Sequence, residues 1–110
     1  MPRTNKGRRP KLPPVSDAMR RISALLAQEL TTWPDVNMRP MFGLRAVYRR
    51  GVIFALLPEK RALETPDSIG YKKAGKWVEF EMKDETGVAA GLAILQKAYT
   101  TARRFSDNPE

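Results

Sequence analysis

Two hydrophobic periods alternate along the chain and divide it into helix, sheet and helix. Ala18, Met19, Ile22, Leu25, Leu26 and Leu30 follow one another at three- and four-residue steps, which gathers them on one face of an α-helix. Ser16 or Asp17 supplies its cap, and Asp17 suits the positive end of the helix dipole. Thr31-Thr32-Trp33-Pro34 ends it, because a residue before proline is pushed out of the helical region. Trp33 is expected to cover the end of the core. From position 36 the period becomes two: Val36-Asn37-Met38-Arg39 alternates as a half-buried strand, and Pro40 marks that strand as an edge.

The most apolar stretch runs from Met41 to Leu57 and reads as strand, turn, strand. Gly43 permits a bulge or a positive φ before it. In its first strand Leu44, Ala46 and Tyr48 face one side, and Arg45, Val47 and Arg49 the other. Arg50-Gly51 supplies a tight turn. Positions 52–57 are apolar without alternation, which predicts a central strand covered on both faces or nearly so.

Pro58 to Arg61 is a polar break, and positions 61–64 are expected to form at most a short strand. A second hairpin follows, turning at Ala74-Gly75. Val78, Phe80 and Met82 point to the core, whereas Trp77, Glu79 and Glu81 point away. Lys72 and Lys73 are expected opposite Glu79 and Glu81, as cross-strand charge pairing favours. Asp84 caps a last helix with Glu85 in its first turn. Its buried stripe is Val88, Leu92, Leu95, Tyr99 and Ala102, flanked by Ala89, Ala93 and Ala98. Gly87 and Gly91 stand four apart, a spacing that in a water-soluble helix means close backbone packing. The order is helix, three strands, loop, two strands, helix: an α+β chain with a mostly antiparallel sheet of about five strands in two hairpin groups.

Composition narrows the chemistry. At 110 residues the chain is one domain. It contains neither Cys nor His, which removes disulfides, thiolate nucleophiles, the commonest general base and the commonest metal ligands. The net charge of +8 is uneven. Residues 1–15 carry Arg3, Lys6, Arg8, Arg9 and Lys11 with four prolines and no acid, the composition of a disordered basic arm. Residues 16–105 form the domain, and 106–110 a frayed tail. With no spanning apolar run and no apolar signal core, the expectation is a cytoplasmic protein with no membrane partner.

No constellation points to catalysis. Glu79 and Glu81 share one face of a strand, but Lys72, Lys73 and Lys76 nearby favour a solvated pair over a proton-transfer pair. The glycines form no phosphate-cradling loop, and no spacing suits zinc or calcium. No catalytic, cofactor-binding or metal-ligating residue is assigned. Basic residues give a different candidate. Arg45, Arg49 and Arg50 cluster on the first hairpin, and with Trp77 on the outward sheet face they would make a basic and aromatic nucleic-acid surface together with the arm. The same arginines could instead protect an edge strand from aggregation.

Pro40-Met41-Phe42-Gly43, followed by Ala46, Tyr48, Gly51, Val52, Phe54, Ala55 and Leu56, resembles the signature of the TfoX (Sxy) N-terminal domain family. The Gly70-Tyr71-Lys72 and Gly75-Lys76 hairpin and the Ala-rich last helix fall where that family has its second hairpin and last helix. The resemblance covers about residues 17–104. It departs at Leu44-Arg45, where the family has a second small residue, and at Arg61-Ala62-Leu63-Glu64, where the family has a Leu-Tyr-Leu-Lys strand. It implies a two-layer α/β sandwich in which Met41, Phe42, Gly43, Gly51 and Phe54 are structural, and a fold similar to secretion chaperones and YjbR-like proteins. No catalytic residues come with it. The expected function is a non-enzymatic regulatory or interaction domain that binds a protein partner or itself, with Tyr48 and Trp77 as its surface and no cofactor. The alternative is nucleic-acid binding through the arm and the Arg cluster.

Overall fold

The computed structural model describes residues 12–82 and 84–102. They form α1 (Asp17–Leu30), β1 (Val36–Met41), β2 (Leu44–Arg49), β3 (Val52–Pro58), β4 (Ser68–Lys73), β5 (Lys76–Glu81), a short 3-10 helix (Glu85–Gly87) and α2 (Val88–Thr101). The strands make one antiparallel sheet in sequence order. Residues of both helices share one buried cluster with the sheet, so both pack on the same face. This is the α+β order that the periodicities predict.

Ser16 caps α1, its hydroxyl accepting from the Met19 amide at 3.1 Å. Met19, Ile22, Leu26 and Leu30 are buried as expected, but Ala18 is exposed, Leu25 is 42% exposed and Ser23 is buried. The geometry of the helix explains the exchange. At about 100° per residue, Ser23 lies within about 50° of the centre of the stripe and Leu25 about 110° from it.

Three two-residue turns close the hairpins: Phe42-Gly43, Arg50-Gly51 and Ala74-Gly75, all with positive φ at both positions. That is the type I′ geometry, whose twist matches the flanking strands. Gly43 therefore serves a positive φ, and the irregularity of the sheet lies elsewhere. Val47 pairs with Ala55 but Tyr48 pairs with Ile53, leaving Phe54 as the extra residue of a bulge. Phe54 and Ala55 are consequently both buried. The Ala74-Gly75 turn sets Lys73 opposite Lys76, Lys72 opposite Trp77, Gly70 opposite Glu79 and Ser68 opposite Glu81. The expected Lys–Glu cross-strand pairs do not form, because the lysines sit beside the turn and the glutamates two to five residues deeper.

Val47, Phe54, Leu57 and Ile69 meet Met19, Ile22 and Leu26 of α1 and Leu95 and Ala98 of α2. On α2 the buried positions are Gly91, Leu95 and Ala98, with Val88, Leu92 and Tyr99 half-buried and Ala89 and Ala93 exposed. A Cβ on Gly91 would lie 3.0 Å from Met82 Cε and one on Gly87 3.7 Å from it, so the close neighbour is a side chain and not the backbone expected of this spacing. Trp33 covers one end of the core, its ring edge-on to Tyr99 at 5.1 Å.

Asp84 accepts hydrogen bonds from the Thr86 hydroxyl and, at 3.0 Å, the Thr86 amide. It thus caps the short 3-10 helix that leads into α2. The Thr86 hydroxyl, then the Thr86 amide, hold the Asp84 carboxyl below its ordinary value. Since the folded value is the lower one, the cap contributes fully above the ordinary aspartate range and is lost as pH falls through the depressed value. The Thr86 amide resonance should titrate with Asp84 below the ordinary aspartate pKa, and Asp84→Asn should abolish that titration.

The ordered domain begins earlier than composition suggests. Pro13 O accepts from Ala62 N at 2.7 Å, Val15 N donates to Lys60 O at 3.3 Å, and Val15 is buried. Prolines lack an amide donor but keep their carbonyl, so Ala62 donates to Pro13 while Lys60 accepts from Val15. That segment is no strand: it makes one isolated bridge, Pro14 with Arg61. Arg3, Lys6, Arg8, Arg9 and Lys11 of the arm, and the 106–110 tail, lie outside the described residues.

Candidate functional site

Because both helices cover one face of the sheet, the other face is the candidate site. Strand parity assigns the residues. Val47 belongs to the helix-covered core, so Arg45 and Arg49 lie on that side with it, and Ala46 and Tyr48 on the open side. Arg39, Ala46, Leu56, Gly70 and Glu79 pair successively and cross the open face as one row. The neighbouring row holds Tyr48 and Ile53 on one side and Lys72 and Trp77 on the other.

The connection after β3 crosses part of this face. Gly43 O accepts from Lys60 N at 2.8 Å and from Arg61 N at 3.0 Å, and Thr65 N donates to Glu79 Oε1 at 3.2 Å. Leu63 lies over the central row, its Cδ1 3.6 Å from where a Cβ on Gly70 would stand. Leu44, Ala46 and Leu63 are buried there. What stays accessible is the Tyr48–Trp77 row: Tyr48 and Ile53 half-buried, Trp77 43% exposed. Two cations rest on its aromatic rings, Arg39 over Tyr48 at 5.6 Å and Lys72 over Trp77 at 5.0 Å. Such cation–π pairs hold each ring in place while leaving part of it for a partner.

The expected partner residues Tyr48 and Trp77 thus share one face. The expected arginine cluster does not join them. Arg45 pairs with Glu59 on the helix-covered side. Arg49 donates from Nη1 to Tyr99 O at 2.8 Å and lies 4.4 Å above the Tyr99 ring, with its Nε buried and unpartnered. Its charge stands at the negative end of α2, where a cation is favoured. Arg50 pairs with Asp35 Oδ2 at 3.1 Å, and its amide donates to Asp35 O at 3.0 Å. The reason is parity: a strand that buries Val47 must turn Arg45 and Arg49 the same way, where their stems cover the margins of the core.

Met41, Phe42, Gly43, Gly51 and Phe54 fall beside or in the first two turns and in the bulge of β3. Phe54 is fully buried, Gly43 and Gly51 hold positive φ, and Met41 ends β1 beside the turn. Phe42 is 71% exposed in that turn. Between α1 and the β1–β2 side lies a cleft of about 460 Å³ whose lining includes Arg20, Ser23, Gln28, Arg45 and Glu59. The Arg45–Glu59 ion pair occupies that lining, so the cleft presents both signs of charge. Among the described residues no group of three or more acidic side chains could hold a metal ion, and no helix is long and apolar enough to cross a membrane. Glu79 and Glu81 stand on the open face, both exposed. The arrangement offers recognition by aromatic, aliphatic and cationic groups. Compared with known protein families, curated proteins and solved structures, the chain matches none.

Proposed function

We propose that the chain is a non-enzymatic interaction domain of the TfoX N-terminal type, engaging a protein partner or a second copy of itself through the open face of its sheet. The observation that carries this reading is the accessible row of Tyr48, Ile53 and Trp77 on the side opposite both helices. Tyr and Trp are among the residues most enriched as anchors of protein interfaces. The nucleic-acid alternative keeps the basic arm as its support, while Arg45, Arg49 and Arg50 are each engaged within the fold.

The test uses the full chain and the Trp77→Ser variant, which changes an exposed residue. Sedimentation equilibrium and tryptophan emission over a range of concentration report self-association. Affinity purification from the native host, with and without the substitution, reports a different partner. The expected result is a complex that Trp77→Ser weakens by about 2 kcal/mol, the scale of an interface anchor. A chain that stays monomeric, and whose purified complexes ignore Trp77→Ser, overturns the reading.

A further inference from the structure

We infer that the end of the sheet near the Ala74-Gly75 turn holds a phosphate-binding site, built from Lys73, Lys76, Lys97 and the hydroxyl of Tyr71. Lys73 shares strand parity with Ile69 and Tyr71, which face the helices, so its side chain belongs to the α2 side of the sheet. Lys76 stands directly opposite it in the hairpin register. Tyr71, Lys73 and Lys97 line a cleft of about 230 Å³ between β4 and the second half of α2, and among the described residues no acidic one lines it.

Two independent observations mark the place as unusual. Like charges directly opposite across a hairpin are destabilising, so the Lys73–Lys76 pair runs against the local rule. Every ion pair among the described residues lies elsewhere, and none of these three lysines joins one. Tyr71 likewise keeps a hydroxyl without a hydrogen-bond partner among the described residues. The negative end of α2 offsets only about half an elementary charge, against three ammonium groups.

The sheet also opens here. β3 and β4 pair only at Ala55–Tyr71 and Leu56–Gly70, and beyond them a second cleft of about 280 Å³ is lined by Val52, Ile53, Lys72, Ala74 and Thr101. Lys73 and Lys97 at the cleft, with Lys76 across the hairpin from Lys73 and no acid among the described lining residues, would recognise a tetrahedral dianion as point charges. The chemistry recognised is the phosphate group, whether carried by a free phosphate monoester or by a nucleic-acid backbone. This inference does not rest on the open-face reading, since Trp77 lies on the other side of the sheet.

The test is an amide-shift titration of the full chain with inorganic phosphate at constant ionic strength, repeated with the double variant Lys73→Gln/Lys97→Gln. Lys60→Gln/Arg20→Gln, two exposed changes away from the cleft, controls for net charge. Saturable shifts at residues 71–76 and 97–101, weakened about tenfold by the double variant and little by the control, support the site. Shifts that do not saturate, or that fall equally in both variants, overturn it. Two further ligands distinguish the source. Tighter binding of a single-stranded oligonucleotide than of a nucleoside monophosphate assigns the site to a backbone phosphate, and the reverse order to a free monoester.

Discussion

Phe54→Ala should lower the free energy of unfolding by about 3–5 kcal/mol, the range for deleting a buried phenyl ring. The ring is fully buried and meets Tyr99 edge-on at 5.8 Å. The bulge makes the loss hard to repair. Phe54 is inserted between Val47–Ala55 and Tyr48–Ile53, so the backbone on either side is fixed by its ladder partners and cannot collapse into the void. Domains of this size have about 5–15 kcal/mol in total, so the variant should stand near its unfolding midpoint on mild heating. Urea unfolding followed by circular dichroism measures it, with a lower midpoint and an unchanged slope. Phe54→Leu keeps most of the volume and should cost less. A cost below about 1 kcal/mol for alanine would mean that Phe54 does not fill the core.

Gly43→Ala should cost about 2–4 kcal/mol, from two separable causes. The first is φ +81, a region that L side chains rarely adopt. The second is space: an added Cβ would lie 3.1 Å from Arg61 Cβ and closer still to Arg61 Cγ. Gly75 separates the two causes, because it has φ +79 with nothing within 4 Å of an added Cβ. Gly75→Ala should therefore show the conformational cost alone, about 1–2 kcal/mol. The excess at position 43 measures how firmly the 60–63 segment is held against the first turn. Equal costs at the two positions would show that this segment yields freely.

These same glycines explain what could be read from the sequence. Each Xaa-Gly pair between alternating runs is a type I′ signal, and a two-residue turn leaves no freedom in the register that follows it. The positions of the Arg50-Gly51 and Ala74-Gly75 hairpins and the inward set Val78, Phe80 and Met82 follow from that, whereas Phe42-Gly43 was read as a bulge or a positive φ and is a turn. The lysine–glutamate expectation failed on the same arithmetic: a turn at 74–75 pairs 73 with 76 and 72 with 77. Position 54 was not legible, because a continuous apolar run carries no phase from which a bulge could be detected. The side taken by Arg45 and Arg49 was open as well. Alternation shows that they share a face with Val47 but not that the helices lie over it. Leu63 falls in the stretch that reads as a short strand at most, and only the chain's path across the open face makes it a cover. In α1, the choice between Ser23 and Leu25 was decided by angle over hydropathy.

The uneven stitching of the sheet sets an order of assembly. Three of the four strand junctions are closed by adjacent residues, whereas β3 and β4 are joined by two residue pairs across the longest connection between strands. Local hairpins close in microseconds, and loop-closure entropy falls on the remaining join. The β1–β2–β3 meander and the β4–β5 hairpin should therefore form as two early units, and α2, which packs on both β3 and β4, is the clasp that unites them. In the native protein the same seam is where a partial opening needs the fewest broken bonds. The amides of β4 and β5 should accordingly exchange with solvent together, and ahead of those in β2 and β3.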